Sequence, residues 1–183
     1  VVDIGEKALE LFSKKNIDYY IEEKSAFKLN LDPNKHKIAN YGRLREKADI
    51  IILFGGDGTF LHTAHHFIGT DIPLLGVNLG SLGFMTEIEV KQFESALERI
   101  VTHDYYIEKR MMLESKVYRD NNEVFHSHSL NDIVVNRAAN ARLINIDLFV
   151  NKELISSYIQ NSDTIIIGLV NDSDLFDLYL KCM

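Results

Sequence analysis

Residues 49–54 read DIIILF and residues 73–78 read PLLGVN. Both runs are apolar at nearly every position. A strand with one wet face would alternate, so these read as strands covered on both faces, as in a parallel sheet. Between them, TFLHTAHHFI (59–68) sets Phe60, Leu61, Ala64, Phe67 and Ile68 at helical spacing, and parallel strands need such a crossover. The style extends outward. Ile4, Ala8, Leu11 and Phe12 share a helical face, IDYYIE (17–22) reads as a strand, and VKQFESALERIV (90–101) is an amphipathic helix with Phe93, Ala96, Leu97 and Ile100 inward. Residues 23–47 are polar, contain Pro33 and read as a surface excursion. Strand–helix repetition of this kind predicts an open parallel α/β sheet.

After about residue 104 the period falls to two. Ile107, Lys109, Met111, Leu113, Ser115 and Val117 share one face of an extended segment. DNNE (120–123) and NKE (151–153) are hairpin turns by composition. VFHSHSL (124–130), DIVVNR (132–137), LINIDLFV (143–150) and TIIIGLV (164–170) continue as strands. The expected organisation is an α/β domain over 1–103 and a β-rich, antiparallel domain over 104–183. No Pro/Gly linker stands at 102–105, so the two are expected to pack closely, with a cleft between them as the default site.

The formal net charge of -7 and sequence pI near 5.5 disfavour nucleic acid and anionic membrane surfaces as partners. No apolar run approaches the length of a membrane span. Cys182 is the one cysteine, which excludes an internal disulfide framework and fits a reducing compartment. No leader segment is visible, and the cytoplasm is the expected location.

The site argument begins where the first buried strand ends, at GGDGT (55–59). Ligands of open α/β sheets bind beyond the carboxyl ends of the strands. Gly55 and Gly56 let a ligand approach the backbone, and the helix starting near Thr59 presents a positive end to phosphate. Asp57 does not belong in a turn that only cradles phosphate. It points to phosphoryl transfer, as general base for a hydroxyl or as a metal contact. The bland alternative is a helix cap with turn glycines. The motif is neither a Walker A loop nor a G-x-G-x-x-G fingerprint.

GGDGT resembles the signature shared by NAD kinases, by diacylglycerol and sphingosine-type lipid kinases and, more distantly, by phosphofructokinases. LGVNLGSLGFMTE (75–87) resembles the second NAD kinase signature. KRMMLESKVYRD (109–120), SLNDIVVNR (129–137) and IQNSDTIII (159–167) resemble that family's crossover, its short Asn-Glu/Asp motif and its third strand entry. The resemblance runs in order over roughly 48–169 and implies an ATP-dependent NAD kinase, with Mg2+ bridging the ATP phosphates. It implies that Asp57 takes the proton of the adenosine ribose 2′-hydroxyl of NAD. Gly58 would let the ribose approach, beside Gly55, Gly56, Thr59 and His62. Phe84 would pack near the adenine; its ordinary alternative is a core phenylalanine. Asn131 and Asp132 would hold the nicotinamide-side ribose, with Asn161 and Asp163 near the nicotinamide end. A homo-oligomer formed through the β domain is also implied.

The chain departs from the family pattern in places. Asn161 stands where bacterial members often have Arg, Thr164 replaces a Gly, and His62 occupies a position often basic or small. After Ile167 the family continues with a Thr-Pro-Thr-Gly-Ser-Thr-Ala-Tyr-Ser loop, whereas this chain reads GLVNDSDLFDLYLKCM (168–183). The expectation is a truncated or partial chain, with an NAD-binding remnant as the alternative to an active kinase. A lipid kinase is disfavoured by NLGSLGF. No metal ligand is assigned. His62 and His66 have i, i+4 spacing without the Glu of the zincin pattern, and His126 and His128 share a strand face; both pairs read as solvated.

Overall fold

A computed structural model describes residues 2–80, 83–86, 88–130, 132–136, 144–150, 152–160, 164–168 and 178–182. The chain divides into two compact units, Val1–Glu108 and Lys109–Met183.

In the first unit, helix α1 (Val2–Lys14) is followed by strand β1 (Ile21–Glu22), helix α2 (Glu23–Lys28), strand β2 (Ile38–Ala39) and helix α3 (Tyr41–Lys47). Next come β3 (Ile51–Gly55), α4 (Asp57–His66), β4 (Leu74–Asn78), β5 (Ile88–Glu89), a 3-10 turn over Val90–Gln92, and α5 (Phe93–Val101). Strands β3, β4 and β5 form a parallel sheet in that order, with Ile51 opposite Leu74 and Gly55 opposite Asn78. Strands β1 and β2 form a separate parallel pair.

The register explains why β3 and β4 are apolar throughout. Ile52, Phe54 and Val77 point to one face, where they pack with Ala8 and Leu11 of α1 and Phe93 and Leu97 of α5. Val77 and Leu97 are almost completely buried. Ile51 and Leu74 point to the other face, toward Ala39, Leu44 and Phe67. That second face carries Gly55 and Gly76 opposite the first turn of α4. A Cβ on Gly76 would lie 3.0 Å from Phe60 and 2.7 Å from Thr86, and one on Gly55 would lie 2.6 Å from Thr59 Cβ. These glycines let helix and loop sit directly on the strand ends.

Residues 23–47 are more ordered than a surface excursion. Glu22 caps α2 by accepting from the Lys24 and Ser25 N–H groups at 2.9 and 2.8 Å. Asn40 caps α3 through the Arg43 N–H at 2.9 Å. Helices of one or two turns show no readable period; their capping side chains define them. The strand read at 17–22 shrinks to β1 because pairing with β2 spans two positions.

In the second unit, β6 (Leu113–Arg119) and β7 (Asn122–Ser129) form an antiparallel hairpin. Asp120 and Asn121 both adopt positive φ, 51 and 62°, the conformation that a two-residue type I′ turn needs. Strand β8 (Asp132–Asn136) pairs with β11 (Thr164–Gly168). Strand β9 (Ile144–Val150) lies between β10 (Glu153–Gln160) and β12 (Leu178–Cys182), antiparallel to both. The extended segment expected from Ile107 becomes a strand only at Leu113, where pairing with Ser129 begins. The strand at 178–182 carried no recognised sequence signal.

Candidate active site

Helix α4 starts two residues earlier than the sequence suggests, at Asp57, with Gly56 as its N-cap. Asp57 does not cap its own helix. Its side chain reaches the loop after β4, where Oδ2 accepts from the Phe84 N–H at 2.9 Å. Oδ1 accepts from the Met85 N–H at 3.0 Å and from the Thr86 hydroxyl at 3.3 Å. Gly83 makes this approach possible, since a Cβ there would lie 2.6 Å from Asp57 Cγ. The Phe84 N–H, followed by the Met85 N–H, holds the Asp57 carboxyl below the ordinary aspartate range; Thr86 adds to this and partial burial opposes it. The group is therefore a carboxylate at neutral pH.

Thr86 is fully buried, and its hydroxyl proton has an assigned direction. The Gly80 N–H donates to Asn78 Oδ1 at 2.7 Å, so the amide nitrogen of Asn78 is the atom facing Thr86, at 2.8 Å. An amide nitrogen only donates. Thr86 Oγ1 thus accepts from Asn78 and donates to Asp57. Asn78 closes β4, so the relay ties the carboxylate to the sheet.

A carboxylate offers about four acceptor sites, and three hydrogen bonds occupy Asp57, two on Oδ1 and one on Oδ2. Among the described residues Oδ2 accepts fewer hydrogen bonds than Oδ1, so it is the oxygen better placed to accept from a hydroxyl. The ground beside it is open. A Cβ on Gly56 or Gly58 would meet nothing within 4 Å, and neither glycine has positive φ. Neither packing nor backbone conformation explains glycine at these two positions. The N–H groups of Asp57 and Gly58 precede the first intrahelical bonds, which run from Thr59 and Phe60 to the Gly56 carbonyl, and lie at the positive end of the helix dipole.

Of the other predicted residues, Thr59 sits against Gly55. Phe84 is 91% exposed, which excludes the core reading. His62 is exposed, and its ring lies 5.0 Å from that of His66. His66 is half-buried, stacked on Tyr41 at 3.9 Å. Asp132 opens β8 in the second unit, is exposed, and accepts from the Ser129 hydroxyl at its carbonyl oxygen, 2.6 Å away. Asn131, Asn161 and Asp163 lie outside the described residues. Sequence reasoning missed Gly83, Thr86 and Asn78 as partners of Asp57, although all three fall within the LGVNLGSLGFMTE motif. Contacts across 27 to 29 residues leave no local trace.

An aspartate at the first turn after a parallel strand, clasped by the glycine loop after the next strand, marks the strand-end site of a parallel α/β unit, here followed by antiparallel β structure. The chain belongs to the ATP-NAD kinase family: the model of that family's N-terminal domain matches residues 7–105. It is 34% identical over 161 residues to the NAD kinase of Lachnospira eligens, covering 86% of this chain and 52% of that protein. It is 43% identical over 136 residues to that of Heliobacterium modesticaldum, covering 74% and 47%. With the Carboxydothermus hydrogenoformans enzyme the identity is 34% over 175 residues, covering 96% and 62%. The chain thus spans about half to three fifths of these relatives. Its fold is similar to that of yeast NADH kinase complexed with NADH, with a TM-score of 0.73 at 22% identity, covering 90% of this chain and 53% of that one. It is also similar to an NAD kinase from Archaeoglobus fulgidus in complex with ATP, with a TM-score of 0.55 at 21% identity, covering 86% and 64%. Among the described residues, no helix is long and apolar enough to cross a membrane.

Proposed function

We propose that this chain transfers the γ-phosphoryl group of ATP to the 2′-hydroxyl of the adenosine ribose of NAD, giving NADP and ADP. The observation that carries the reading is the ionised Asp57, whose Oδ2 accepts a single hydrogen bond among the described residues, beside the open backbone of Gly56 and Gly58. The hydroxyl donates to Oδ2 and is thereby aimed at the γ-phosphorus. Its oxygen bonds to phosphorus as the bond from phosphorus to the β,γ-bridging oxygen breaks, and the electron pair leaves with ADP. The proton passes to Asp57 and then to solvent. A carboxylate held in its ionised form is a weak base, so transfer is complete only once bonding to phosphorus has acidified the hydroxyl.

Magnesium enters as the counter-ion of the ATP phosphates. The described residues around Asp57 supply a single, already clasped carboxylate, so no resident metal is derived there. The exposed ring of Phe84 suits the adenine face. Thr59, in the first turn of α4, would meet phosphate, whereas His62, a turn further along beside His66, is proposed there on the motif alone. Asn131, Asp132, Asn161 and Asp163 are proposed for the nicotinamide side on the strength of the motifs alone. The exposed cross-strand pair Val117 and Phe125 supports a homo-oligomer, and the lone cysteine a cytoplasmic protein.

The test is incubation of the purified chain with ATP, Mg2+ and NAD, with Asp57→Asn alongside. NADP formed by the wild type and lost in the variant supports the reading. Binding of NAD without NADP would reassign the chain as a nucleotide-binding protein. Phosphorylation of a diacylglycerol instead of NAD would move it to the lipid kinases.

A further inference from the structure

On the β6–β7 hairpin, far in sequence from Asp57, three donors converge. Glu114 lies directly opposite His128, and His126 is opposite Lys116. Residues two apart on a strand share a face, so Glu114, Lys116, His126 and His128 all project from the same side. His126 Nε2 is 2.7 Å from Glu114 Oε1, and His128 Nε2 is 3.9 Å from the same oxygen. The two imidazole centroids are 5.0 Å apart. One ligand atom from each of the three lies within 4.8 Å of the other two.

We infer that Glu114, His126 and His128 form a binding site for a borderline divalent cation, of which zinc is the representative. Zinc bonded to nitrogen and oxygen at about 2.0–2.1 Å in tetrahedral geometry spaces its ligand atoms ~3.3 Å apart. The observed 2.7 and 3.9 Å bracket that value, so side-chain rotation without backbone movement closes the site. Two imidazoles disfavour magnesium and calcium, which take oxygen ligands, and suit zinc, cobalt, nickel and copper. Three protein ligands leave the fourth position to water or to a donor from another molecule.

Two neighbours bear on the site in opposite ways. Glu123 Oε1 stands 3.9 Å from His126 Nδ1, on the ring nitrogen that would not touch the metal. Carboxylates placed there orient the ring and raise its basicity. Lys116 Nζ sits 3.1 Å from Glu114 Oε1 and must leave when a cation arrives. Both imidazoles and the ammonium address the same oxygen, so the ion replaces Lys116 and draws on a cluster already assembled.

Untagged full-length protein titrated with zinc, followed by calorimetry, tests the site, with cobalt(II) absorption reporting the geometry. The expected result is one ion per chain and a tetrahedral cobalt spectrum. His128→Ala and the size-preserving Glu114→Gln should each weaken zinc at least tenfold with an unchanged circular dichroism spectrum, and Lys116→Ala should bind at least as tightly as wild type. His62→Ala combined with His66→Ala controls for the histidines on α4 and should leave affinity unchanged. No uptake at tens of micromolar zinc, affinity unaffected by His128→Ala and Glu114→Gln, or loss only in the α4 control would each overturn the assignment.

Discussion

The backbone N–H of Phe84 donates to Asp57 Oδ2 at 2.9 Å, joining the first turn of α4 to the loop after β4. Asp57→Asn puts an NH2 group where the carboxylate now accepts from both N–H groups and from Thr86, so at least one donor faces another donor. The variant should melt at a lower temperature and lose roughly 10²-fold or more in kcat/KM. Thermal melts paired with NADP formation check both effects.

The glycines divide into two classes by what surrounds them. Gly55→Ala and Gly83→Ala push a methyl group into Thr59 and the Asp57 carboxylate, and each should cost about 1–3 kcal/mol. Gly56→Ala and Gly58→Ala meet only open space and should change stability by no more than about 0.5 kcal/mol, while raising KM for NAD. Urea denaturation together with steady-state kinetics separates the two classes.

Thr86→Val keeps the side-chain volume and removes the hydroxyl between Asn78 and Asp57. The buried Asn78 amide then loses this acceptor, at a cost of about 1–3 kcal/mol. Thr86→Ser restores the hydroxyl and should recover most of the activity. A stability change without a change in turnover would show that Thr86 braces the fold but does not position Asp57.

Because the Phe84 and Met85 N–H groups lower the folded-state pKa of Asp57, the unfolded chain binds the proton first as pH falls. The stabilisation is therefore complete above the ordinary aspartate value of about 3.9 and is lost as pH drops below it through the folded value. Acid melts of wild type and Asp57→Ala should converge below about pH 4 and run parallel from about pH 5 to 8. Ionisation of Asp57 should likewise leave no limb near neutrality in kcat/KM.

Leu97 is 1% exposed where α5 meets β4 and α1. Leu97→Ala should cost about 2–5 kcal/mol. Phe84→Ala, at an exposed position, should leave the melting temperature unchanged and weaken NAD binding. The contrast tests whether Phe84 serves a ligand or the fold.

Strand–helix alternation was legible because β3 and β4 are buried on both faces, and a doubly buried strand has to be apolar throughout. The hairpin at Asp120 and Asn121 was legible because positive φ favours those residues. Helices α2 and α3 were not, since one or two turns carry no period. His126 and His128 are partly exposed, as their strand spacing suggested, but Glu114 beside them was not legible because it lies across the hairpin.

By itself, the sequence determined that a parallel α/β unit precedes antiparallel strands, and that a carboxylate stands at the end of a buried strand among glycines. Those facts are local: apolar period, turn chemistry and glycine placement act over a few residues. Only the tertiary structure decided what Asp57 touches. Pairing of β3 with β4 brings residues 83–86 to a carboxylate 27 to 29 positions earlier, and that meeting sets its charge state and the need for Gly83.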